Sequence, residues 1–283
     1  MTADTPPRLL DLVQRSAVWL AERGITPPAQ ARREAEWIFA EALGLTRLDL
    51  YTRFDQPLDP GEVQRLRALV ARRGRREPLA YIIGNQPFRR LTVHVGPSVL
   101  VPRPETEDLV THALVDLPQG GRVVDIGTGS GAIALAIASE RPDAIVTACD
   151  ISAEALATAQ ANAKRLSLQV DFHQGDLGKG LPGGWDLIVA NLPYIAESER
   201  SECDPELGFE PALALFAGAD GLDLIRPLIA DLPRLLAPQG VAWLEHGFRQ
   251  GPAVRELAAA AGLVATTTRD HGDRDRCCRI TRA

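Results

Sequence analysis

Cysteine is scarce in this chain and never in the spacing that would bind metal or build a disulfide framework. Cys149, Cys203, Cys277 and Cys278 are the four among 283 residues, none in a CxxC, so reduced thiols are expected. Five histidines likewise fall in no metal-ligand pattern. Apolar runs are short: the stretch 132–138 is far below the roughly 20 residues that a membrane-spanning helix needs. The first residues carry Asp4, Pro6, Pro7 and Asp11 where a secretory signal would place a basic start and an apolar run. Internal repeats and low-complexity tracts are missing too. These absences exclude a disulfide-stapled miniprotein, a zinc module and a fibrous chain, and they predict a cytoplasmic protein with no membrane partner.

What is present is the composition of a folded protein with ample core: 45% hydrophobic and 24% charged residues, over a length that suits two domains. The net charge of -6 conceals an asymmetry. Residues 1–90 hold 15 Lys+Arg against 11 Asp+Glu, whereas residues 91–283 hold 16 against 26. A basic cluster (Arg65, Arg67, Arg72, Arg73, Arg75, Arg76) closes the first part. It reads either as a solvated helix face whose cations suit the C-terminal dipole or as a docking surface for a polyanion.

The spacing predicts a small all-helical module over roughly the first 75 residues. Thr5 is a candidate cap for a helix opening at Pro6 and Pro7 and carrying Leu9, Leu10, Val13, Ala17 and Leu20 inward until Gly24. A second helix runs from Pro28 to Gly44, Thr46 caps a short third, and Pro60 opens a fourth. After Pro78 the texture changes. Residues 81–84 and 91–96 read as two strands of a hairpin. From Gly121 strands alternate with helices: strands at 123–126, 145–149, 169–173, 187–190 and 241–245, and helices at 132–140 and 153–166 among them. An antiparallel pair at 264–268 and 277–281 closes the series. Such alternation implies a mostly parallel sheet covered on both faces. The expected division is 1–76 as the helical domain, 77–100 as a β-hairpin linker and 101–283 as the catalytic domain.

Two segments carry chemistry. Val123-Val124-Asp125-Ile126-Gly127-Thr128-Gly129-Ser130-Gly131 is an apolar strand ending in a glycine-rich turn that opens a helix. Glycines there permit positive φ and let a ligand approach the backbone. Asp150 ends the next strand, 19 residues beyond Gly131, where a carboxylate can accept from both hydroxyls of a ribose. The spacing is G-x-G-x-G, not the G-x-G-x-x-G of dinucleotide sites. The second segment is Asn191-Leu192-Pro193-Tyr194, at the carboxyl end of the strand at 187–190 and so beside the same site. An amide or exocyclic amine is a poor nucleophile because its lone pair is delocalised. An Asn oxygen and a backbone carbonyl that accept from its NH₂ can fix it for in-line attack. Glu105 and Glu107 could form an acid–base pair or simply charge a helix entry. Cys277 and Cys278 are expected on opposite faces of a strand, and inert.

The glycine turn with Asp125 ahead of it resembles the S-adenosylmethionine loop of class I methyltransferases, and Asn191-Leu192-Pro193-Tyr194 resembles the Asn-Pro-Pro-Tyr motif of amino-group methyltransferases. Together with Arg76-Glu77-Pro78-Leu79-Ala80-Tyr81, Pro102-Arg103-Pro104-Glu105-Thr106-Glu107, Phe209-Glu210-Pro211 and Leu244-Glu245-His246-Gly247, these blocks make nearly the whole chain similar to the PrmC/HemK family. The resemblance implies an α/β class I S-adenosylmethionine-dependent methyltransferase, Rossmann-like, with a helical domain ahead of it that helps to dock the substrate. It implies methylation of the Gly-Gly-Gln glutamine (N5) of class I peptide-chain release factors in translation termination. By matching positions, Gly127, Thr128, Gly129, Ser130 and Gly131 would line the methionine moiety, Asp150 the ribose, and Asp176 with Leu177 the adenine. Asn191 would adjoin cofactor and hold the glutamine amide, Leu192, Pro193 and Tyr194 would complete the substrate site, and Arg103 and Glu105 would lie near the substrate. Leu192 departs from the family's proline; the accepting carbonyl survives, while one ring's φ restraint, about 0.4–1 kcal/mol of loop ordering, is lost. No metal, no direct nucleic-acid partner and a monomer are expected. A DNA or RNA amino-group methyltransferase is the alternative that keeps the chemistry, and the acidic catalytic part weighs against it. A cofactor binder silenced through Leu192 and a nicotinamide dehydrogenase are the remaining alternatives.

Overall fold

The structure, a computed structural model, describes residues 6–270 and 272–283, so the Thr5 cap and Asp4 lie outside the described residues. The chain forms two compact units, Met1–Gly84 with Pro205–Phe209, and Asn85–Asp204 with Glu210–Ala283.

Among the described residues of the first unit five helices, α1 (Leu9–Ala21), α2 (Pro28–Leu43), α3 (Arg47–Thr52), α4 (Pro60–Gly74) and α5 (Leu79–Ile83), enclose a core that includes Leu9, Leu20, Ile38, Phe39, Leu50 and Leu66. The first helix begins at Leu9 rather than at the prolines. Arg8 stays extended, bridging Pro57 antiparallel, and the Leu9 N–H donates to Gln56 O at 2.9 Å. Thr46 caps α3 and Asp59 caps α4, each in a reciprocal capping box with the side chain three residues on. The strand expected at 81–84 is instead α5. Pro78 sets its start, Gly84 ends it at φ +78°, and Ile82 joins the helical core, so tertiary packing overrides the β-branched run. Three of the six arginines of the basic cluster are occupied within this unit. Arg72 forks onto Glu77, Arg73 is buried against Glu34 and Glu206, and Arg76 also reaches Glu206.

The second unit opens with the hairpin β1 (Asn85–Phe88) and β2 (Leu91–His94), followed by α6 (Glu105–Asp116). Then come β3 (Arg122–Ile126), α7 (Ala132–Glu140), β4 (Ile145–Asp150), α8 (Ala153–Leu166), β5 (Asp171–Gln174) and β6 (Trp185–Asn191). The chain ends with α9 (Ile225–Leu235), β7 (Leu236–Glu245), α10 (Gly251–Ala260), β8 (Leu263–Arg269) and β9 (Asp275–Arg282). The seven strands β3 to β9 pair in the order β5-β4-β3-β6-β7-β9-β8, with β9 antiparallel to both neighbours and the remaining pairings parallel. β3 and β6 are buried almost throughout, as a sheet covered on two faces requires. Cys277 and Cys278 are both buried, and burial pushes the Cys278 thiol up to about 11.

Asn162 of α8 ties the hairpin to the glycine turn. Fully buried, its Oδ1 accepts from the His94 N–H at 2.7 Å, and its Nδ2 donates to His94 O and Ser130 O, each at 2.9 Å. Replacing it leaves one donor and two acceptors unpaired. Asn162→Ala is expected to lower unfolding free energy by about 2–4 kcal/mol in a denaturant titration, and a loss under 1 kcal/mol would count against this role.

Candidate active site

The carboxyl ends of β3, β4 and β6 stand level, because Ile126 pairs with both Cys149 and Ala190. A cleft opens there, walled by Ile126 to Ser130, Asp150 to Ser152, Gly175 to Leu177 and Asn191 to Pro193, and lined also by Thr106, Pro211, Leu213 and Leu224. Of the residues singled out in the sequence, Gly127, Thr128, Gly129, Ser130, Asp150, Asp176, Leu177, Asn191, Leu192 and Pro193 share this wall.

The turn after β3 is built from backbone. The N–H groups of Gly127 and Thr128 donate to Cys149 O at 2.8 and 3.0 Å, and the Gly131 N–H donates to Thr128 O at 2.8 Å. Gly127, Gly129 and Gly131 all have positive φ. A Cβ on Gly127 would stand 2.8 Å from Leu192 Cδ2, whereas one on Gly129 would meet open space. Gly131 is the N-cap of α7, against Ala159 of α8.

Asp150 is gripped at both oxygens. Oδ2 accepts from the Gly129 N–H and Oδ1 from the Ser152 N–H, each at 2.9 Å, so its remaining lone pairs are oriented before any ligand arrives. Asp125 behaves differently. One oxygen accepts from Thr128 Oγ1 at 2.6 Å and from the Ala134 N–H at 3.1 Å, while the other is buried with no partner among the described residues. Burial in the sheet pushes its carboxyl up to about 7, against the pull of those two hydrogen bonds.

Asn191 ends β6 and donates through Nδ2 to Thr106 Oγ1 at 2.9 Å. Thr106 in turn donates to Glu245 Oε2 at 2.8 Å, and Tyr194 OH donates to Glu245 Oε1 at 3.2 Å. Sequence reasoning singled out neither Thr106 nor Glu245 for this. The available signal was an acid closing the apolar strand at 241–245. Tyr194 faces an adjoining hollow with Phe248, Gln250 and Arg276, and burial beside Glu245 pushes its phenol up. Arg103 is tied to the buried carboxylate of Glu210, and Glu105 is exposed in the first turn of α6. Glu107, the other member of the candidate acid–base pair, accepts from the Arg89 N–H at 3.1 Å. Leu192, in place of the proline, is buried in the sheet's core cluster, so packing restrains the turn where a ring would have. Among the described residues no group of His, Cys, Asp and Glu is placed to hold a metal, and no helix is long and apolar enough to cross a membrane.

The raised Asp125 carboxyl has a sign that can be checked. Its contribution to stability is present below the ordinary carboxylate value near 4 and is lost as pH rises through about 7. Asp125→Asn keeps an oxygen for both donors and removes that slope. Its stability relative to wild type is expected to improve by about 2–3 kcal/mol between pH 5 and pH 8, read from denaturant midpoints at the two pH values. A pH-independent difference would overturn the assignment.

Comparison with known proteins assigns the chain to a family. Residues 11–84 match the PrmC N-terminal domain and residues 105–204 the Methyltransferase small domain. The chain is 43% identical over 247 residues to the release factor glutamine methyltransferase of Geobacter sulfurreducens, covering 87% of this chain and 86% of that one. It is 37% identical over 278 residues to that of Deinococcus radiodurans, covering 98% and 99%. Among solved structures, a ribosomal RNA N2 methyltransferase from T. thermophilus in complex with AdoMet and guanosine aligns with a TM-score of 0.54 at 17% identity, over 70% of this chain and 50% of that one. A methyltransferase from Pyrococcus furiosus aligns with a TM-score of 0.51 at 20% identity, over 66% and 86%. These two establish the class I methyltransferase fold of the second unit. With relatives this similar along nearly all of both chains, the protein belongs to the release factor glutamine methyltransferase family.

Proposed function

We propose that this methyltransferase transfers the methyl group of S-adenosylmethionine to the side-chain amide nitrogen of the glutamine in the Gly-Gly-Gln motif of class I peptide-chain release factors, acting as a monomer in the cytoplasm. The observation that carries the reading is Asn191, which ends β6 with its Nδ2 committed to Thr106 and no partner for Oδ1 among the described residues, on the same wall as the glycine turn and Asp150.

The residues present fit the methyl donor. Asp150 offers pre-oriented lone pairs to two ribose hydroxyls, and Asp176 and Leu177 flank the place of the adenine beside Ile126 and Ile151. Gly129 leaves space for close approach of a ligand, with Thr128, Ser130 and Gly131 completing the loop. When bound, S-adenosylmethionine supplies a methyl group made electrophilic by its sulfonium.

The chain's own residues prepare the acceptor. Asn191 Oδ1 takes one N–H of the glutamine amide and the backbone carbonyl of Leu192 takes the other. These two bonds fix the nitrogen and favour the pyramidal geometry in which its lone pair is localised. Both acceptors are neutral, so the proton lost from the nitrogen passes to water and no dedicated base is needed. Pro193 stiffens the turn and Tyr194 gives a ring against which the planar group packs. We assign Arg103, steadied by Glu210, and the exposed Glu105 to the approach of the substrate chain, and the helical unit to docking the release factor.

Incubation of an unmodified release factor with this protein and S-adenosylmethionine is expected to add one methyl to the Gly-Gly-Gln glutamine, seen by peptide mass spectrometry and absent when that glutamine is replaced. No mass gain in a preparation that binds S-adenosylhomocysteine would refute the substrate. Asn191→Ala is expected to lower kcat at least about 100-fold while the Kd for S-adenosylhomocysteine stays within a few-fold. Asp150→Ala should instead weaken S-adenosylhomocysteine about 10- to 100-fold by calorimetry.

A further inference from the structure

The amide of Asn191 can work as an acceptor only in one of two nearly isosteric orientations. With Oδ1 towards the substrate it accepts an N–H; turned over, it presents a second NH₂ to an NH₂ and holds nothing. Among the described residues, the hydrogen bond made by the Asn191 side chain is the one to Thr106 Oγ1. The decision is made two side chains away.

We propose that Glu245, acting through the Thr106 hydroxyl, is the positioning residue that locks the Asn191 amide with its oxygen towards the acceptor, an inference that rests on the reading of Asn191 above. Glu245 closes β7 opposite Asn191 in the parallel register, and it is 1% exposed. Thr106, 4% exposed, stands between them from the first turn of α6. A carboxylate only accepts. It takes the Thr106 O–H at 2.8 Å and the Tyr194 O–H at 3.2 Å. The single proton of Thr106 is thereby spent, so Thr106 Oγ1 meets Asn191 at 2.9 Å as an acceptor, and only Nδ2 can face it. The flipped amide would set oxygen against oxygen with no proton between.

The residue types argue for this role over simple support. Burying a carboxylate is costly, and an apolar side chain or an amide would fill the same space at lower cost. A glutamine could offer Thr106 either end and would leave the polarity undecided; only an acid removes that choice. Burial and the neighbouring Glu105 of α6 push the Glu245 carboxyl up. The hydrogen bonds from Thr106 and Tyr194 and the charge of Arg276 on β9 oppose that shift without reversing it, and the donation of the Thr106 hydroxyl to Oε2 at 2.8 Å is what sets the polarity of the relay.

The test separates the relay from the reaction. In 15N-labelled protein without substrate, the Asn191 side-chain NH₂ is expected to exchange slowly with solvent and to lose that protection in Thr106→Val. Equal exchange in the two proteins would overturn the relay whatever the enzyme's substrate. In turnover assays on a release factor, Thr106→Val and Glu245→Gln are expected to lower kcat about 10- to 100-fold, with the KM for S-adenosylmethionine and the Kd for S-adenosylhomocysteine within twofold. Thr106→Ser, which restores the hydroxyl, should stay within about threefold of wild type. If serine is as poor as valine, or if neither Thr106→Val nor Glu245→Gln changes kcat, the proposal fails. Retained turnover in Asn191→Ala, by contrast, would sink the amide-holding reading while leaving the exchange result to stand on its own.

Discussion

The register of β3 between β4 and β6 governs everything at the sheet edge. Ile126 is hydrogen-bonded into the same level as Cys149 on one side and Ala190 on the other. One residue further along each strand lie Gly127, Asp150 and Asn191, so the turn, the carboxylate and the amide emerge together because three ladders end in step. Parallel strands buried on two faces cannot slide without exposing their apolar rows or breaking their evenly spaced bonds. The site therefore takes its geometry from the buried sheet, and only the residues at and just beyond the strand ends have to be chosen for chemistry.

Around that edge, polarity is passed inward to outward by groups with no freedom to reverse. Backbone N–H groups fix both oxygens of Asp150, and a carboxylate at the end of β7 fixes Thr106, which fixes Asn191. Asp125 is the exception, a buried carboxyl with one oxygen satisfied and one not. The contrast follows from supply: Asp150 faces a turn rich in free N–H groups, while Asp125 sits inside the sheet, where the backbone donors are already committed to the ladders.

Much of this was legible in the sequence where the signal is local. The helices at 132–140 and 153–166 follow from the alternation of strand and helix patterns, the first opened by the glycine turn, and the structure bounds them at the same residues. Asp150 and Asn191 were legible because each ends an apolar strand in a fold whose ligands sit at strand ends. The α5 turn was misread because β-branched residues argue for a strand when read alone, and only the core into which Ile82 packs decides otherwise. Thr106 and Glu245 were illegible for a different reason. They are 139 residues apart in the chain, and Thr106 is 85 residues from Asn191, so their meaning exists only after the sheet has brought them together. The arginine cluster was left open in the sequence between a solvated helix face and a docking surface, and adjacency in sequence could not show that Arg73 is buried against Glu34 and Glu206.

The contact between Leu192 and Gly127 bears on how such a site can drift. The leucine methyl occupies the space that any side chain at 127 would need, and the glycine's positive φ already disfavours a replacement there. A larger residue at 127 becomes tolerable only after 192 has shrunk, and a shrunken 192 opens a hole in the sheet's core cluster. The two positions are thus mutually conditional. Exchanges at either are filtered by the state of the other, through this packing and the glycine's positive φ, independently of any demand from catalysis.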